Sequence, residues 1–161
     1  MTEITQQQDS RRILIDTLSE INDPKNIIIT CDVGFNYLEQ DKVKVLNLGV
    51  TEQSSTIIAA TMALSGYTVW LYSMINFVTF RVHEAVRNGI CLHNANVKII
   101  GVKGSEKYKF LGFSHNLLWD NEEIEWLEKL PNIKCHTPQI DEVKNTVLAE
   151  YERSGPAYIR L

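Results

Sequence analysis

The sequence predicts an α/β fold: a three-layer sandwich with a mostly parallel sheet of about six strands and helices on both faces. Three observations carry that prediction. Short apolar runs alternate with stretches whose apolar residues recur at helical spacing. The run Ile27-Ile28-Ile29-Thr30-Cys31 is apolar almost without interruption, as in strands buried on both faces. The chain has 161 residues, 44% hydrophobic and 22% charged, the size and balance of one compact globular domain.

Residues 1–9 are polar and read as a flexible N-terminus, which leaves 10–161 for the domain. Ser10 is placed to cap a helix over 11–21, with Ile13, Leu14, Thr17, Leu18 and Ile21 on one face. Asn22-Asp23-Pro24 ends it. The strand 27–31 exits through Asp32-Val33-Gly34. A short strand pattern over 43–48 then runs into Asn47-Leu48-Gly49-Val50-Thr51-Glu52-Gln53. The helix expected over 54–65 is apolar at Ile57, Ile58, Ala60, Ala63 and Leu64 and is closed by Gly66. A strand over 68–72, a helix over about 76–93 and a strand over 97–102 follow. Residues 103–121 show no periodicity and read as a long functional or mobile loop. A helix over 122–130 stops at Pro131-Asn132, and a strand over 133–136, a helix over 141–153 and a strand over 157–161 complete the chain. There is no internal repeat and no linker, so one domain is expected.

Composition narrows the function classes. A net charge of -4 does not call for nucleic acid or an anionic membrane. No apolar run approaches the roughly 20 residues that span a bilayer. The polar, partly acidic start fits neither a signal peptide nor a transit peptide. Cys31, Cys91 and Cys135 are odd in number and far apart, which gives no metal spacing and no disulfide framework. A reducing cytoplasm is the expected setting, with each cysteine a small buried hydrophobe.

Glu52 is the residue with the most chemistry in its position. It follows a strand and opens a helix, the place where open parallel sheets put their sites. The free N–H groups of a first helical turn favour its ionised form, whereas burial in the surrounding apolar run favours the protonated one. A carboxyl group under opposed influences can share a proton with a ligand. The same position also suits a carboxylate that only balances the helix dipole.

The segment NLGVTEQ, with its following helix, resembles the GIxEQ or GIREH segment of transketolases and related thiamine-diphosphate enzymes. In that family the glutamate belongs to the pyrimidine-binding domain and hydrogen-bonds N1′ of the cofactor aminopyrimidine. The resemblance gives that role to Glu52: the cofactor carries the hard chemistry and the protein tunes one proton. Ser73 to Arg81 resembles the family's NFxxY or FxxFxxxR pattern, which implies that Phe77 stacks on the aminopyrimidine with Phe80 as a neighbour. From the residues alone both also suit a core. Met74 falls where many relatives have another aromatic. Val50, Met74 and Asp32 are the further cofactor contacts implied; Asp32 reads equally as a turn-capping residue. Val86 to Ile90 and VKIIGV continue the match to "IRNSI…VKIVG".

Phe110 to Asn116 resembles the family's "DGPTHQ" or "LGFSHH" segment, which places His115 on the donor-substrate side. A solvated loop histidine is the plain alternative. Arg11 lies where some relatives hold a substrate phosphate, and it also suits a solvated helix start. Two departures stand out. Lys103-Gly104-Ser105 stands where relatives often carry histidine, and the acidic residues that could take the place of the family's Glu-Asp pair, Asp120, Glu122 or Glu123, come at a longer spacing. His83, His93 and His136 match nothing catalytic. Leu130 to Ile133 and the ending Gly155 to Leu161 resemble "LPNM" and "GPVYIRL", which are structural signatures.

The chain contains no Gly-Asp-Gly segment. The resemblance therefore implies a stand-alone small subunit, with the diphosphate and its Mg2+ held by a larger partner that carries that segment. The expected assembly is a heterotetramer with two copies of this chain. The activity implied is transfer of a two-carbon ketol or acyl unit from a keto donor to an aldehyde or ketone acceptor. A split thiamine-diphosphate 2-oxo acid decarboxylase and a non-catalytic regulatory or binding subunit are the alternatives.

Overall fold

The computed structural model describes residues 9–34, 38, 43–104 and 106–161. Of the expected N-terminal stretch, 1–8 lies outside the described residues, as does Ser105. The strands are β1 (Asn26–Thr30), β2 (Lys44–Asn47), β3 (Thr68–Met74), β4 (Val97–Val102), β5 (Lys134–His136) and β6 (Ala157–Arg160). Among the described residues the α-helical elements are α1 (Ser10–Glu20), α2 (Glu52–Leu64), α3 (Ile75–Val78), α4 (Glu122–Leu127) and α5 (Val143–Glu152). The strands form one six-stranded sheet in the order β2-β1-β3-β4-β6-β5. Among the described residues every pairing is parallel, where the sequence predicts a mostly parallel sheet.

The apolar runs explain the layering. β1, β3 and β4 are central and almost wholly buried, and alternate side chains leave a strand on opposite faces. Ile27, Ile29, Val69, Leu71, Val97 and Ile99 pack with Ala59, Ala60 and Ala63 of α2 and with Val86 and Ile90. Ile28, Trp70, Tyr72 and Ile100 pack with Leu14, Ile15 and Leu18 of α1 and with Val143 and Val147 of α5. Each fully buried aliphatic side chain contributes about 1.5–3 kcal/mol, so both faces must be covered. The chain leaves β1 for β2 on one side and crosses back to β3 on the other. That reversal creates a crevice beyond the carboxyl ends of β1 and β3.

Several elements depart from the sequence expectation. Asp9, not Ser10, caps α1: its side chain accepts from the Arg11 backbone N–H. α2 starts at Glu52 and buries Glu52, Ser55, Thr56, Ala59, Ala60 and Ala63. The larger residues Ile57, Ile58 and Leu64 point outward, 45%, 40% and 58% exposed. A π-helical segment, Ala85–Cys91, also packs closely against this helix. A Cβ on Gly89 would stand 3.3 Å from Ile57 Cδ1 and 3.5 Å from the Ala60 Cβ, so the contact suits small side chains.

The single helix expected over 76–93 is broken into α3, a 3-10 turn (Phe80–Val82) and the π-helical segment. The break is at Thr79, with φ -122° and ψ -84°. Its fully buried hydroxyl donates to the Ile75 carbonyl at 2.6 Å, a side-chain bond that competes with the helix ladder. Residues 103–121 are not structureless either: Glu106–Ser114 forms 3-10 turns, kinked at Gly112 with φ 65°. The helix expected to reach Leu130 closes at Leu127. Other boundaries shift by a residue or two, as helix and strand ends do.

Candidate active site

A pocket of about 890 Å3 lies beyond the carboxyl ends of β1, β3 and β4. Cys31 to Gly34 line it after β1, Tyr72 and Met74 at the end of β3, and Val102 to Gly104 after β4. Two glycines let these turns close in. Gly34 has φ +88°, and a Cβ there would meet the Tyr72 ring at 2.5 Å. A Cβ on Gly104 would stand 2.8 Å from the His115 carbonyl oxygen, so the turn after β4 can lie against the histidine loop.

The turns after β1 and β2 are joined through one side chain. Asn47 Oδ1 accepts from the backbone N–H of Asp32 at 3.0 Å and of Gly49 at 3.1 Å. Its Nδ2 donates to Asp32 Oδ1 at 2.9 Å. Asp32 adopts φ 57°, a left-handed conformation that Asp tolerates better than most residues. This junction sets the direction in which the chain enters α2.

Glu52 is the first residue of α2 and is 4% exposed. Thr56 Oγ1 donates to its carbonyl at 2.8 Å, which secures the first turn. Arg81 Nη1 donates to Glu52 Oε1 at 2.9 Å. The Arg81 guanidinium carbon also lies 3.8 Å over the centre of the Phe77 ring. Phe77 is 8% exposed and meets His115 edge-on, with ring centres 4.9 Å apart. Glu52, Arg81, Phe77 and His115 thus form one continuous wall, although they come from α2, the 3-10 turn, α3 and the loop after β4.

The loop presents His115 through fixed contacts. Asn76 Nδ2 donates to the carbonyls of Phe113 at 3.0 Å and Asn116 at 3.2 Å. Asn116 Nδ2 donates to the carbonyls of Tyr108 at 3.1 Å and Gly112 at 2.8 Å. His115 Nδ1 is 2.7 Å from Ser114 Oγ, and its ring lies parallel to Tyr108 at 6.4 Å.

The pocket therefore gathers most of the residues singled out from the sequence: Glu52, Phe77, Met74, Asp32, Val50, His115 and Arg11 all line it. Arg11 is also hydrogen-bonded to Asp9 through Nε at 2.8 Å. Phe80 does not reach this pocket. The break at Thr79 turns it toward Trp126, with ring centres 6.3 Å apart, and it lines an adjoining hollow of about 270 Å3. The three acidic candidates separate. Glu123 is fully buried and accepts from the Tyr158 hydroxyl at 2.9 Å. Glu122 accepts from the Leu118 N–H at 2.7 Å. Asp120 is exposed, and hydrogen bonds from Arg160 and Lys103 hold its carboxyl below the usual carboxylate range. Asp120 lines a hollow of about 480 Å3 that shares Lys103, Gly104 and His115 with the main pocket.

Sequence reading missed Arg81. The helix break at Thr79 and the approach of Glu52 bring it into the site, and neither is written in the local sequence. Among the described residues no cluster of three or more His, Cys, Asp or Glu side chains could hold a metal ion, and no helix is long and apolar enough to cross a membrane.

A parallel α/β domain with a buried carboxylate beside an aromatic face at the sheet's reversal point is a ligand-binding domain of the open-sheet class. The chain belongs to the family of transketolase pyrimidine-binding domains, whose model matches residues 21–161. It is 27% identical over 126 residues to an apulose-4-phosphate transketolase subunit from Actinobacillus succinogenes, covering 78% of this chain and 40% of that protein. It is 28% identical to the protein of the same name from Phocaeicola vulgatus, covering 94% of this chain and 50% of that one. Among solved structures, a split-gene transketolase in an inactive β4 tetramer superposes with a TM-score of 0.80 at 25% identity, over 94% of this chain and 50% of that one. The chain thus spans half or less of the length of these relatives.

Proposed function

We propose that this chain binds the aminopyrimidine part of thiamine diphosphate and is the pyrimidine-binding subunit of a split transketolase-like enzyme. The reaction would move a two-carbon ketol or acyl unit from a keto donor to an aldehyde or ketone acceptor. One observation carries this reading: a single planar guanidinium spans the Glu52 carboxylate and the Phe77 ring, so a flat ring with in-plane nitrogen donors fits the same pair. The pocket volume, about 890 Å3, is in the range that holds a cofactor of this size.

The cofactor, when bound, supplies the carbanion chemistry. The chain's own residues would position it and handle protons. Glu52 would hold and share a proton at the pyrimidine N1′ nitrogen. Burial raises the strength of that interaction, because little water competes for the carboxylate. Phe77 would carry the ring face, with Met74, Val50 and Asp32 around it. His115, one ring contact from Phe77, would face the donor substrate and donate to or accept from its hydroxyl or carbonyl oxygen. Arg11 also lines the pocket, where an anionic substrate group would meet a cation.

A partner chain would complete the site by binding the diphosphate and Mg2+, in a heterotetramer with two copies of this chain. The surface beside the pocket supports this. Val50 in the pocket wall and Phe113 in the adjoining hollows are 70% and 77% exposed, and apolar surface at a pocket suits an interaction site. The three free cysteines suit a cytoplasmic enzyme.

The reading is tested by calorimetry with thiamine diphosphate and magnesium. The chain alone should bind weakly, and binding should tighten when a larger chain carrying Gly-Asp-Gly is added. Binding tighter than about 1 μM by this chain alone, unchanged by the partner, would sink the split-subunit reading.

A further inference from the structure

Arg81 makes the two contacts that the proposed function assigns to the cofactor ring. Its guanidinium donates in its own plane to Glu52 Oε1 at 2.9 Å and lies 3.8 Å over the Phe77 ring. A guanidinium and a protonated aminopyrimidine offer the same features to such a site: a planar delocalised cation with N–H donors at its edge. One carboxylate oxygen and one ring face do not serve both at once.

We propose that Arg81 is a built-in stand-in for the aminopyrimidine, a positioning residue that keeps Glu52 and Phe77 in their binding arrangement and swings aside when the cofactor ring enters. This rests on the function proposed above. A carboxylate 4% exposed needs a compensating cation when no ligand covers it, and Arg81 supplies that charge from a half-exposed position. The local chain allows the exchange. Arg81 sits in a three-residue 3-10 turn just after the break at Thr79. It also lines the adjoining hollow with Asn76, Phe113 and Glu122, so the displaced guanidinium has an open space and a carboxylate to move toward.

The cofactor must therefore displace one charge-assisted hydrogen bond and one cation–π contact. Removing Arg81 should tighten binding of the ring by about tenfold. The test uses the full chain and the bare ring, 4-amino-5-hydroxymethyl-2-methylpyrimidine, titrated by saturation-transfer NMR. Arg81→Ala should bind this probe about tenfold tighter than the parent, and Arg81→Lys should fall between, because lysine keeps the charge without the flat face. Guanidinium chloride at sub-denaturing concentration should compete with the probe strongly on Arg81→Ala and weakly on the parent. Phe77→Leu, which keeps an apolar side chain and loses the ring face, should weaken the probe in every background. Arg81→Ala binding no tighter than the parent, while Phe77→Leu still weakens it, would overturn the stand-in and leave the pyrimidine pocket standing. Binding to neither the parent nor Arg81→Ala would overturn both. A purely structural Arg81 predicts weaker binding in Arg81→Ala and no guanidinium competition.

Discussion

Two buried carboxylates, Glu52 and Glu150, serve opposite ends of the same sheet, and their surroundings differ in kind. They are 4% and 3% exposed. Glu150 is enclosed by a lysine, a histidine and an arginine. Lys98 Nζ lies 3.4 Å from Oε2, His136 Nε2 2.9 Å from Oε1, and Arg153 Nη2 2.7 Å from Oε2. Lys98, near the start of β4, is itself fully buried and also donates to the carbonyls of Arg153 at 2.8 Å and Gly155 at 2.6 Å. Glu52, near the other end of the strands, meets a half-exposed arginine in the wall of a large pocket. A buried charge whose hydrogen bonds are filled by rigid neighbours holds the fold. A buried charge whose partner can leave toward solvent is available to a ligand.

Within the Glu150 network the charge states are set by burial and by the neighbouring charges. Burial, then the charge of Arg153, lowers the Lys98 amine to about 8 in spite of Glu150. Burial alone would push Glu150 up, but the Arg153 hydrogen bond and the charges of Lys98 and Arg153 hold it below the ordinary carboxylate range.

The strongest way to break the comparison is at Glu150. Glu150→Ala leaves a fully buried lysine without its carboxylate and should lower unfolding stability by about 3–5 kcal/mol in urea titrations. A loss below about 1 kcal/mol would show that the network is held by the carbonyls instead. A smaller effect is expected on the pocket side. His115→Ala should slow product formation by roughly 10- to 100-fold in the partner complex, while exchange of the thiazolium proton stays near normal. Equal losses in both would move His115 to cofactor binding or loop folding. A third test, again on the Glu150 side, is a pH dependence. Lys98 titrates near 10.5 when unfolded and at about 8 when folded, so between these values the unfolded chain binds more protons and stability gains a rising component. Cys91 and Cys135, pushed by burial from 9.0 to about 12, act with the opposite sign above pH 9. They cancel when the parent is compared with Lys98→Met. The stability difference between the two should grow in the parent's favour from pH 8 to 10.5. A constant difference would mean that Lys98 stays charged.

The sheet was legible because β1, β3 and β4 are buried on both faces, and burial on both faces writes itself as continuous apolar runs. Glu52 and Phe77 were legible through their motifs and positions, and the structure places both at one pocket. The broken helix was not. It depends on Thr79 finding the Ile75 carbonyl inside the core, and helical spacing continues through such a break. Ile57 and Ile58 misled for a related reason: the face of α2 packed on the core carries the small residues Ala59, Ala60 and Ala63, and which face that is depends on tertiary packing. The Lys98 network was hidden because its members are 52 and 55 residues apart in the chain. Arg81 was hidden because an arginine near a helix start resembles any solvated one until the carboxylate 29 residues earlier is brought beside it.

The central claim, that Glu52 serves a ligand while Glu150 serves the fold, is tested most directly by Glu52→Gln in the complex with its partner. The measurement is exchange of the thiazolium proton of bound thiamine diphosphate, taken with the unfolding midpoint of the same protein. Gln keeps the shape and cannot share the proton. Exchange should therefore fall by about 10²- to 10⁴-fold with the midpoint nearly unchanged. Unchanged exchange with a lowered midpoint would contradict the claim and make Glu52 a second structural carboxylate.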